Sequence, residues 1–77
     1  MITEKEFNEQ FAKAIVDRCE QLGITHRELT EKAELTEVTI SRYVHGTRTP
    51  SFYNAYKIMK VLNIGVIDFR GADDEDS

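Results

Sequence analysis

The stretch Thr25–Gly46, THRELTEKAELTEVTISRYVHG, decides the fold, because two short helices can be read in it with almost nothing between them. Thr25 supplies an N-cap oxygen and Glu28, three residues on, completes a capping box, so a helix starts at His26. Leu29 and Ala33 fall on its inward side over barely two turns. Thr36 opens a second helix as N-cap, with Thr39 where a box usually has Glu, and Gly46 ends it. In that helix Ile40, Tyr43 and Val44 share one face, while Glu37, Val38, Ser41, Arg42 and His45 occupy the other.

Working outward, Phe7, Phe11, Ala14, Ile15, Cys19 and Leu22 recur at helical spacing, which predicts a preceding helix from Phe7 that closes at Gly23. Downstream, the loop Thr47-Arg48-Thr49-Pro50 leads to Ser51 as the cap of another helix, with Phe52, Ala55, Tyr56, Ile58, Met59 and Leu62 inward. Asn63 closes that helix as a left-handed residue. Val66, Ile67 and Phe69 suit a fifth, short helical turn that lids the core. The reading is an all-α domain over residues 1–70, followed by an acidic, disordered tail over residues 71–77.

Composition narrows the classes. The chain has 77 residues, 40% hydrophobic and 31% charged, with 4 Gly and 1 Pro, which fits one small helical domain and leaves too little turn material for a β-sandwich. At this size stability is slender and pairing with a second copy helps. Cys19 is the one cysteine, so no internal disulfide forms, and no Cys/His spacing suits a metal. No stretch approaches the roughly 20 apolar residues of a membrane span, and the start MITEKEFNEQ lacks a signal peptide's build, so a cytoplasmic setting without a membrane partner is expected. The net charge of -4 argues against a polycationic nucleic-acid glue, yet residues 26–60 carry six basic and four acidic residues and are the net-positive part. The run Asp73-Asp74-Glu75-Asp76 reads as solvated chain, or as a tail that competes with nucleic-acid phosphates or occupies a basic partner.

Helix, tight turn, helix, with a polar outer face on the second, is the arrangement that presses a short helix into the major groove of DNA, about 12 Å wide. From about Phe11 to Phe69 the chain resembles the phage-repressor-like (Xre/Cro type) helix-turn-helix family, with its helix-turn-helix at about 26–45. The resemblance rests on Leu22-Gly23-Ile24-Thr25, Glu28-Leu29, Lys32-Ala33, Leu35-Thr36, Thr39-Ile40-Ser41, Gly46-Thr47-Arg48-Thr49-Pro50-Ser51, Ile58 and Leu62-Asn63-Ile64. It implies a compact five-helix, lambda-repressor-like domain whose recognition helix is 36–44. Glu37, Val38 and Arg42 then stand where base edges are read, with Ser41 alongside, and Thr36 opens the helix. Arg42 suits guanine O6 and N7, Glu37 suits cytosine N4, and Val38 suits a thymine methyl. Thr25 and the start of the preceding helix hold phosphate oxygens, and His26, also at that start, donates to a phosphate or a base edge. His45, Thr47 and Arg48 resemble the family's backbone-clamping loop, with Arg48 on a phosphate.

Plainer readings stand beside these. Arg42 is equally a solvated helix residue paired with Glu37 or Glu34, and His26 and His45 are equally exposed filler or local caps. Tyr43, Tyr53 and Tyr56 offer stacking surfaces for single strands, but Tyr43 and Tyr56 fall on faces assigned to the core. Cys19, on an apolar stripe, reads as a buried small hydrophobe rather than a reactive thiol.

Three positions depart from the family pattern. Glu34 stands where the turn usually has Gly, at a cost of about 1 kcal/mol in a left-handed conformation. Thr30 replaces a small Ala, so its hydroxyl needs an acceptor, such as the carbonyl four residues back. Cys19 and Val44 replace a buried Arg and Glu that pair in many members, and as two apolar residues they are expected to touch.

The resemblance implies a sequence-specific regulator of transcription that binds double-stranded DNA, a repressor acting as a homodimer on a palindromic operator. The alternative is a protein-interaction module on the same fold, an antitoxin bound to its toxin or an adaptor. No Ser-His-Asp order, carboxylate pair in an apolar pocket or Gly-rich phosphate loop is present, so neither an enzyme nor a cofactor is expected.

Overall fold

The computed structural model describes residues 2–65. Four helices are present among them: α1 (Glu4–Leu22), α2 (His26–Ala33), α3 (Glu37–Val44) and α4 (Phe52–Leu62). The expected fifth helical turn at Val66, Ile67 and Phe69, and the expected tail, lie outside the described residues. No described helix is long and apolar enough to cross a membrane.

Helix α1 begins three residues before the Phe7 start read from its stripe. Thr3 Oγ1 accepts from the Glu6 N–H at 3.1 Å while Glu6 Oε1 accepts from the Thr3 N–H at 2.9 Å, so two amides of the first turn region are satisfied together. Thr25 and Glu28 form the same box at the start of α2, as expected. Thr36 caps α3 through the Thr39 N–H, and Ser51 caps α4 through the Asn54 N–H, each at 3.1 Å.

Three helices end alike. Gly23, Glu34 and Asn63 take left-handed φ values of 72°, 58° and 56° after α1, α2 and α4. In each case the next amide reaches back five residues: Ile24 to Cys19, Leu35 to Thr30 and Ile64 to Met59, at 3.0, 3.1 and 2.9 Å. This is the Schellman closure, which satisfies carbonyls that have no helical partner. It also aims the following side chain inward: Ile64 is buried, and Ile24 and Leu35 pack against the core.

That core is built from Phe11, Ile15 and Cys19 of α1, Leu29 and Ala33 of α2, Ile40 and Tyr43 of α3, Ile58 and Leu62 of α4, and Ile64. Helix α1 packs on α3 and α4, and α2 packs on the same two. The Phe11 and Tyr43 rings meet edge to face with centroids 6.0 Å apart. Cys19 is buried, and Val44 packs against the cluster that contains it. The Thr30 hydroxyl donates to the His26 carbonyl at 2.9 Å, four residues back as anticipated.

Three apolar positions assigned inward are corrected. Leu22 is 45% exposed, because α1 ends there and Ile24 takes the core place beyond the turn. Phe52 and Tyr56 are 87% and 50% exposed. At 100° per residue they stand about 120° and 160° around α4 from Ile58, off the stripe that Ala55, Ile58, Met59 and Leu62 share. Tyr53 and Tyr56 instead lie under the ammonium groups of Lys57 and Lys60, at 4.8 and 5.8 Å. Ala12, Pro50 and Ile64 are also buried, at positions for which no core place is read from the sequence.

Candidate nucleic-acid interface

The short α2 and α3 are held at a fixed angle by the Glu34 turn, and Ile40 and Tyr43 pin α3 to the core. Its opposite side is bare. Glu37, Val38, Ser41 and Arg42 are all exposed, with Val38 at 60%. An apolar side chain left so open beside a guanidinium and a carboxylate is a surface suited to a mixed polar and apolar partner, such as the edges of base pairs in a groove. Among the described residues Arg42 makes no ion pair with Glu34 or Glu37; the pairs formed there are Lys13 with Asp17 at 2.8 Å and Arg27 with Glu31 at 3.9 Å.

Around this face the expected contact residues fall into two groups. His26, Glu37, Ser41 and His45 line a shallow depression between α2 and α3, together with Arg27 and Thr30. Arg42 and Arg48 line a second, together with Thr39, Tyr43 and Asn54. Thr25, Thr36, Val38 and Thr47 line neither, and three of them have structural tasks. The Thr25 hydroxyl is an N-cap acceptor. The Thr36 hydroxyl both caps α3 and donates to Thr39 Oγ1 at 2.8 Å. Thr47 donates to the Arg42 carbonyl through its N–H and its hydroxyl.

His45 resolves part of its two readings. Its Nδ1 lies 2.7 Å from the Ser41 carbonyl, and a carbonyl only accepts, so Nδ1 carries the hydrogen and the ring closes the last turn of α3. Nε2 is the nitrogen left for an outside partner. His26 is the first residue of α2, in the turn whose amides lack helical partners, and is exposed.

Sequence reasoning missed Thr39 and Asn54 as members of the second depression and favoured the core over a stacking surface for Tyr43. Tyr43 is in the core, but its hydroxyl accepts from Asn54 Nδ2 at 3.0 Å, a contact across 11 residues that no local pattern announces. The loop after α3 is also tied to α1, where the Thr49 hydroxyl donates to Glu4.

Cys19 has no part in this face. Burial pushes its thiol above the ordinary value of 9.0, because the thiolate would lose its hydration.

A family model described as helix-turn-helix matches residues 15–69. Comparison with curated proteins and comparison with solved structures each return no match.

Proposed function

The chain belongs to the Xre/Cro-like helix-turn-helix family of DNA-binding transcription regulators, and from that premise we propose that it is a sequence-specific repressor acting as a homodimer on a palindromic operator. The observation that carries this reading is the bare outer side of α3, where Glu37, Val38, Ser41 and Arg42 are all exposed. Thr25, His26 and Thr36 at the helix starts, and His45, Thr47 and Arg48 after α3, are assigned to the flanking backbone. Residues 1–70 form the binding unit and residues 71–77 an acidic tail, acting in the cytoplasm. Two copies are needed because one short helix covers few base pairs and each copy offers few cations.

Selection of bound fragments from a random duplex pool, followed by a salt titration, tests the reading. A consensus with two half-sites about one DNA turn apart and a steep fall of affinity with salt are expected. A slope near zero excludes it.

A second reading is favoured by the exposed aromatics of α4, Phe52, Tyr53 and Tyr56, on a chain of net charge -4. In it the domain is an antitoxin or adaptor that docks a basic protein. Stoichiometric co-purification with such a partner, without duplex binding, supports this reading over the first.

A further inference from the structure

Arg42 belongs to α3 and Arg48 to the loop before α4, yet both line one depression of about 160 Å³ with Thr39, Tyr43 and Asn54. The loop is folded back to this point by Thr47, whose N–H and hydroxyl donate to the Arg42 carbonyl at 3.0 and 3.2 Å. Beyond Arg48, Thr49 is tied to Glu4 and Pro50 is buried, so Arg48 is carried between fixed points.

The lining is a set of donors. Thr39 Oγ1 accepts from Thr36, and the Tyr43 hydroxyl accepts from Asn54, which leaves each hydroxyl its own hydrogen to give. Among the described residues no carboxylate lines the depression, in a chain where acidic residues outnumber basic ones by 14 to 10. Two arginines and two hydroxyl-bearing side chains lining one concavity suit a tetrahedral oxyanion.

The geometry points to a role for Arg42 other than the guanine contact that its helix position implies: with Arg48 it holds a single backbone phosphate of the duplex. This assignment rests on the DNA-binding reading above and deepens it. Base discrimination then falls to Glu37, Val38 and Ser41 of α3, and the shared phosphate sets how far that helix sits along the groove.

The test measures binding of the purified 77-residue chain to random-sequence duplex and to the duplex selected from a random pool, across a salt series. Wild type, Arg42→Ala, Arg48→Ala and the double variant are compared, with thermal melts to verify folding. Arg42→Ala weakens binding to both duplexes by the same factor, roughly tenfold, and a repeated selection returns the same consensus. The double variant loses less than the product of the single losses and lowers the salt slope by about one. Strict additivity of the two variants overturns the shared phosphate. So does an Arg42→Ala chain that binds random duplex as wild type does and changes its preferred base at one position. A wild-type chain with no salt-dependent duplex binding overturns the underlying DNA reading, a result distinct from either of these.

Discussion

The backbone N–H of Leu35 donates to the carbonyl of Thr30 at 3.1 Å, closing α2 over a left-handed Glu34 with φ 58°. A residue with a Cβ is disfavoured there by about 1 kcal/mol. Glu34→Gly is therefore expected to stabilise the domain, by about 0.5 kcal/mol once the added freedom of the unfolded chain is subtracted, or roughly 2–4 °C in melting temperature. The reciprocal change, Gly23→Ala, meets open space but the same conformational strain, and on the same accounting should cost about 0.5 kcal/mol in the same thermal melts.

Thr25→Ala removes the acceptor for the Glu28 N–H and half of the box at the start of α2. A loss of about 1 kcal/mol in urea unfolding is expected. Duplex affinity should fall further than this loss explains, because the start of α2 is assigned to a phosphate.

Arg18 of α1 donates through Nε to the carbonyl of Leu62, the last residue of α4, at 2.8 Å, and through a terminal nitrogen to Gln21 at 2.9 Å. This side chain ties two helix ends 44 positions apart. Arg18→Met keeps the stem and removes the donors, so a cost of about 1–2 kcal/mol is expected, read as a lower urea midpoint.

For Cys19 the sign of the pH dependence follows from the raised thiol. The fold prefers the neutral form, so the contribution is intact below the unfolded value near 9.0 and is lost as pH rises through the higher folded value. The stability difference between wild type and Cys19→Ala should shrink between neutral and strongly alkaline pH. In native buffer a thiol reagent should react with Cys19 far more slowly than in urea.

Glu37→Gln tests the reader itself. A glutamate accepts from cytosine N4, whereas a glutamine pairs with adenine N6 and N7. A repeated selection should exchange the preferred base at one position of each half-site and leave the others unchanged. Affinity for random duplex should rise slightly, since one negative charge leaves the face.

Local chemistry made much of the fold legible. The caps at Thr25, Thr36 and Ser51, and the left-handed ends at Gly23, Glu34 and Asn63, depend on residues within five positions of one another, and sequence displays such neighbours directly. The Thr3–Glu6 box was equally visible in Thr-Glu-Lys-Glu, but anchoring α1 on its first apolar residue hid it. Phe52 and Tyr56 were placed inward because spacings of 3 and 4 define a band wider than the strip that Ile58 and Leu62 bury. The bare face of α3 was readable as a helical wheel. The meeting of Arg42, Arg48, Tyr43 and Asn54 was not, since it depends on how Thr47 folds the loop back onto α3.

The recurrent closure after α1, α2 and α4 makes these corners intolerant of length changes. Ile24, Leu35 and Ile64 enter the interior one position beyond the left-handed residue, so a single inserted or deleted amino acid withdraws an anchor and swings the next segment out of register. Between α2 and α3 the same slip would rotate the bare side of α3 by about 100°. Side-chain substitutions can retune what that side touches, whereas gaps and insertions at the corner would dismantle the platform that presents it.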